Sequence, residues 1–133
     1  MADTMGINHL GLAVKDLQAS RSFFTELLAW TESGYDASYP RTAVSDGKLR
    51  LTLWQVDQTG KVIDFNRRSN VGLHHLALEL ESEKKLHELH SRLRKFPGVV
   101  MEFAPELVGD GPRMHMMCNE PGGIRIEFIW QGA

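Results

Sequence analysis

The sequence predicts an α+β fold: two βαβββ modules forming an open eight-stranded mixed-sheet cup around a central site. Three observations predict it. The stretch GINHLGLAV (residues 6–14) returns as GLHHLALEL (residues 72–80). GKLRLTL (47–53) returns as GGIRIEF (122–128). Between each pair of echoes lies the same order of strand-like, helix-like and strand-like patterns. A chain that repeats itself is first read as copies of one unit.

Module one spans about residues 5–57. Leu10, Leu12 and Val14 alternate with His9, Gly11 and Ala13, the period of a strand with two unlike faces. Asp16 is a good N-cap for a helix over Leu17–Ala29, with Leu17, Phe24, Leu27 and Leu28 in one apolar stripe beside Phe23. Strands are expected over Trp30–Asp36, Arg41–Ser45 and Lys48–Val56, and Asp46-Gly47 is a hairpin signal. The polar residues 58–70 read as a connection. Module two, residues 71–133, repeats the order. It has a strand over Val71–Glu81 and a helix capped by Ser82 with a Leu86, Leu89, Leu93 and Phe96 stripe, ended by Pro97-Gly98. Strands follow over Val99–Ala104, Arg113–Cys118 and Gly123–Trp130. The extra length of this module is assigned to a turn-rich loop, Pro105–Pro112. Each helix should cover one sheet face and leave the other for a cleft.

Bulk composition excludes several partners. With 133 residues the chain is one ordinary domain whose two halves share a core. A net charge of −2 gives no basic field for nucleic acid or an anionic membrane. The N-terminal residues lack the pattern of a signal peptide, and no apolar run reaches the ~20 residues of a membrane span. Cys118 is the single cysteine, so no intrachain disulfide forms. The expectation is a soluble cytoplasmic protein with a small-molecule substrate.

Strand parity brings the chemistry together. Leu10, Leu12 and Val14 face the first helix, so His9 faces the cleft; the same count places His75, Arg125 and Glu127 there, and Arg50, Thr52 and Trp54 in the first module. Two neutral imidazoles and a carboxylate suit a divalent metal such as Fe, Mn, Ni, Co or Zn, and three ligands leave positions open for substrate. His9, His75 and Glu127 are therefore the expected metal ligands, against the plainer reading of a polar pocket without metal. Arg50, Thr52, Trp54 and Arg125 are expected to line the substrate pocket. The two arginines either grip a substrate carboxylate or pair with Glu79 and Glu127. His115 and Glu127 are the candidate acid/base residues. His74 is expected on the opposite face, His87 and His90 on a solvated helix surface, and Cys118 as a buried small residue. Gln55 has helix-facing parity.

The motifs at Ile7–Asp16, at His75–Leu78 and at Asn119–Glu127 together resemble the vicinal oxygen chelate superfamily, also called the glyoxalase/bleomycin-resistance/dioxygenase superfamily. The resemblance covers essentially the whole chain. It implies paired modules forming a cup around a metal that chelates vicinal oxygens of a substrate, with His9, His75 and Glu127 at the ligand positions. The activity implied is that of a lactoylglutathione lyase-like isomerase or lyase, or of an extradiol-type dioxygenase. A homodimer and a metal-free, antibiotic-binding alternative are also implied. One position departs from the glyoxalase I pattern: Thr52 stands where that branch places a further Glu or Gln ligand.

Overall fold

Alternating apolar residues give eight strands in two four-stranded mixed sheets, each with one helical segment on one face. The computed structural model describes residues 1–133 and divides into two compact units, 1–62 and 63–133. Unit one contains β1 (Leu10–Val14), α1 (Leu17–Ser22), β2 (Thr31–Asp36), β3 (Arg41–Ser45) and β4 (Arg50–Gln55). Unit two contains β5 (Leu76–Leu80), α2 (Glu83–Leu93), β6 (Val100–Leu107), β7 (Met114–Asn119) and β8 (Arg125–Trp130). The sheet orders are β1-β4-β3-β2 and β5-β8-β7-β6. In each, the first strand runs parallel to the last and the other pairs are antiparallel. The two βαβββ modules of the sequence are thus present. No helix is long and apolar enough to cross a membrane.

Each core lies between sheet and helix. Leu12, Val14, Val44, Leu51 and Leu53 are buried with Leu17, Phe23, Phe24 and Leu27; Ile126, Phe128 and Met116 are buried with Leu86, Leu89 and Leu93. The caps form as expected. Asp16 Oδ1 accepts from Ala19 N at 3.0 Å, and Ser82 Oγ from Lys85 N at 3.1 Å. The Asp46-Gly47 turn is closed by Asp46 Oδ1, which accepts from Lys48 N and Leu49 N, with Gly47 at a φ of 95°.

The first helix is not regular to Ala29. After Ser22 it widens into a π-helical turn, Phe23–Leu27, in which Leu28 N donates to Phe23 O. The wider turn lets the consecutive Phe23 and Phe24 both be fully buried, edge to face at 5.2 Å. Trp30 N then donates to Phe24 O while Ala29 takes a left-handed φ of 58°, a helix stop usually given to glycine. In the second unit, β6 runs on through Pro105 to Leu107, so the expected Pro105–Pro112 loop is shorter. Its register shifts between Met101 and Phe103 and between Phe103 and Glu106, and such irregularities accommodate a strand proline. The opening strands start later than the sequence suggests. His9 and His75 are each the residue immediately before a strand, at Leu10 and Leu76.

Candidate functional site

In the second unit, the helix-free face of the sheet is built by β8 and β7. Arg125 pairs with Asn119, Glu127 with Met117 and Ile129 with His115, so these six residues share one face, and Ala77 of β5 stands beside Glu127. Glu127 meets two histidines there. Its Oε2 lies 2.5 Å from His115 Nδ1, and its Oε1 lies 3.4 Å from His75 Nε2. A carboxylate only accepts, so His115 Nδ1 carries the proton of the first contact. The Phe103 ring packs on His115 at 4.9 Å, and Glu106 Oε1 lies 4.0 Å from its other nitrogen.

His74 does not point away from this group. The strand begins at Leu76, so strand parity does not govern residue 74. Its Nδ1 lies 2.8 Å from His75 Nδ1 and 3.3 Å from Arg125 Nη1. Partial loss of water, then the positive charge of Arg125, holds His74 below the usual histidine range. Arg125 pairs with neither Glu79 nor Glu127. It grips Glu102 on β6 through two parallel bonds, Nε to Oε1 at 2.7 Å and Nη2 to Oε2 at 2.9 Å. That grip, with a bond from Asn119, holds the Glu102 carboxyl below its ordinary range. Glu79 instead accepts from Gln131. Sequence reasoning missed Glu102 because its partner is reached across β7, and no spacing rule links residues 102 and 125. Arg125, Glu102 and Asn119, with Gly123 and residues Asp64–Arg67, line a cleft of about 470 Å3 at this end of the sheet.

In the first unit, Thr52 pairs with Gly11 on one side and Ala43 on the other, on the helix-free face. Thr52 is buried, and its hydroxyl accepts from the Trp54 indole Nε1 at 3.0 Å. A side chain at Gly11 would come within 3.2 Å of that hydroxyl, so glycine leaves the room this pair occupies. Tyr39 stands edge to face with Trp54, and the Arg41 guanidinium lies over its ring at 5.7 Å. Arg50 is exposed at the start of β4. His9 is exposed, with its Nδ1 2.7 Å from Asn8 Oδ1. Gln55 faces the helix, where its Oε1 accepts from Leu17 N at 3.0 Å.

The remaining candidates have plain structural roles. His87 lies 3.7 Å from Glu83 on the α2 surface. Burial pushes the Cys118 thiol up to about 12, which removes it as a nucleophile. Glu120 is buried and folds the β7–β8 turn, accepting from Gly122 N and Ile124 N.

The side chains as they stand contain no ready group of three His, Cys, Asp or Glu metal donors. The His75–Glu127 edge nonetheless fits one. Two donors about 2.1 Å from a common first-row metal sit roughly 3.0–3.4 Å from each other. The hydrogen-bond pattern sharpens the fit. Arg125 has only donors, so His74 Nδ1 must accept. His75 Nδ1 must then donate to it, and neutral His75 presents an Nε2 lone pair toward a carboxylate oxygen. A proton on Nε2 joins this pair as an ion pair, and a bound cation can take that proton's place.

Comparison with known proteins agrees with this architecture. Residues 6–128 match the model of the Glyoxalase/Bleomycin resistance protein/Dioxygenase superfamily. The Bacillus subtilis (strain 168) protein YqjT, itself uncharacterized, is 29% identical over 128 residues, covering 92% of this chain and 97% of YqjT. A glyoxylase/bleomycin resistance protein/dioxygenase domain from Frankia sp. EAN1pec superposes with a TM-score of 0.80 at 25% identity, over 97% of this chain and 93% of that one. At 18% identity, a mutant of the fosfomycin resistance protein FosX from Listeria monocytogenes shares the fold, with a TM-score of 0.72 over 98% of this chain and 92% of that one. That structure is a complex with Mn(II) and 1S,2S-dihydroxypropylphosphonic acid. With two βαβββ modules, the repeated His-bearing strand starts and a family match across nearly all its length, the chain belongs to the Glyoxalase/Bleomycin resistance protein/Dioxygenase superfamily.

Proposed function

We propose that this protein is a divalent-metal enzyme acting on a small oxygenated organic substrate, with the metal held by His9, His75 and Glu127. The observation that carries the reading is the 3.4 Å approach of His75 Nε2 to Glu127 Oε1, a nitrogen and an oxygen spaced as two ligands of one first-row metal ion would be. The Mn(II) complex of the structurally similar FosX supports a metal in this fold, and the repeat gives His9 the same place before β1 that His75 has before β5. When bound, the metal supplies Lewis acidity toward adjacent substrate oxygens. The chain supplies the rest. His115 holds one oxygen of Glu127 and leaves the other free to ligate. Thr52 carries no charge and cannot serve as a carboxylate base, so proton transfer between two carboxylates is not part of this reading. We also propose a cytoplasmic homodimer, for which light scattering should give twice the 15.0 kDa chain mass.

A second reading is favoured by one observation. Thr52, at the position equivalent to Glu127, is committed to the Trp54 indole beside Tyr39 and Arg41. That aromatic face suits a metal-free protein that binds an apolar or planar ligand without chemistry. Elemental analysis of protein purified without an affinity tag separates the two. Bound metal near one ion per chain supports the enzyme. Protein that holds none and takes up neither Mn(II), Fe(II), Co(II), Ni(II) nor Zn(II) supports the binding protein.

A further inference from the structure

We propose that His74, anchored by Arg125 and Glu102, is a positioning residue that fixes the tautomer of His75. The inference rests on the reading of His75 as a ligand, but it concerns residues outside the metal set. Imidazole has two nitrogens, and a neutral ring protonates only one. A histidine that ligates through Nε2 must keep its proton on Nδ1, and the acceptor that receives that proton decides which tautomer is present. In this chain the neighbouring imidazole is that acceptor. His75 Nδ1 lies 2.8 Å from His74 Nδ1.

An imidazole is an ambiguous partner, because its nitrogen donates in one tautomer and accepts in the other. Arg125 removes the ambiguity. Its Nη1 lies 3.3 Å from the same His74 nitrogen and can only donate, so His74 Nδ1 has a lone pair and its proton sits on Nε2. Arg125 is in turn held by two bonds to Glu102, which Asn119 also contacts. The order Glu102, Arg125, His74, His75 is thus a line of fixed donors and acceptors that ends with the His75 Nε2 lone pair directed at Glu127 Oε1. Arg125, expected to line the substrate pocket, also anchors this line through three of its five N–H donors.

Nitrogen-15 correlation spectra of the histidine rings, recorded on metal-free protein at neutral pH, test the proposal directly. His75 is assigned from the H75A variant. Wild type should show His75 with a protonated Nδ1 and an unprotonated Nε2. In H74F this preference should be lost, and Zn(II) affinity should fall about 10- to 100-fold. H74N, whose amide oxygen can accept from Nδ1–H, should restore both. Unchanged thermal melting of H74F would show that folding is not the cause. A wild-type His75 protonated on Nε2, or an H74F spectrum with the His75 tautomer unchanged, overturns the proposal. The metal reading fails separately: wild type with the stated tautomer but no Zn(II) binding sinks the metal and leaves the positioning line standing.

Discussion

Glu127 has two oxygens, and the second module gives them different partners. Oε2 accepts a hydrogen bond from His115 Nδ1 at 2.5 Å, while Oε1 faces His75. Holding one oxygen should make Glu127 a one-oxygen ligand and save the entropy of fixing it at the moment of metal binding. The first module has a parallel device, with the Trp54 indole N–H directed at the Thr52 hydroxyl. We therefore expect H115F, which keeps a ring beside Phe103 but removes the donor, to weaken Mn(II) binding by about 10-fold or more. A chelator competition titration measures this, and affinity within about twofold of wild type would remove His115 from the site. At this scale the sequence is partly legible. Strand parity places Glu127 and Arg125 on one face, because a period of two leaves no freedom within a strand, and the register of β7 against β8 adds His115. It misplaces His74, which precedes the strand, and it misses Glu102, whose link to Arg125 depends on cross-strand register.

Elements are legible where local chemistry decides them. Asp16 and Ser82 cap their helices, and Asp46-Gly47 turns β3 into β4. The π turn is not legible, because it follows from packing two consecutive phenylalanines against the sheet, a tertiary demand. The turn ends at Ala29 with φ 58°, a conformation that costs an alanine more than a glycine. A29G should therefore stabilise the protein by up to about 1 kcal/mol, offset in part by the greater freedom of the unfolded chain. Chemical denaturation measures it, and a loss of stability would contradict the assigned backbone. Between α1 and β2, Arg21 holds Glu32 through two bonds and Thr42 donates a third. The bond from Arg21 lowers the Glu32 carboxyl below its usual range. A carboxyl lowered on folding stabilises above its unfolded pKa of about 4.5 and loses that contribution as pH falls through its folded value. E32Q should be less stable than wild type at pH 7, by no more than about 1 kcal/mol because the pair is partly solvated. The difference should shrink as pH drops below about 4. Melting curves from pH 7 to 3 that stay a constant distance apart would contradict this.

At the scale of the molecule, duplication explains the architecture, and its broken symmetry bears on the chemistry. Two copies of β-α-β-β-β give two mixed sheets of the same strand order, and the sequence repeats alone make that pairing legible. The copies differ at equivalent positions. Module two has Glu127 with His115; module one has Thr52 with Trp54, and Arg41 at the position matching His115. The carboxylate of the proposed site thus belongs to module two, while module one carries a neutral threonine beside an aromatic ring at the equivalent positions. Metal stoichiometry tests this account most directly. Metal-free protein titrated with Mn(II), followed by calorimetry, should bind one ion per chain, and H9A, H75A and E127Q should each lose most of that binding while T52V retains it. Wild type that binds no metal, or an H9A variant that binds as tightly as wild type, would contradict it.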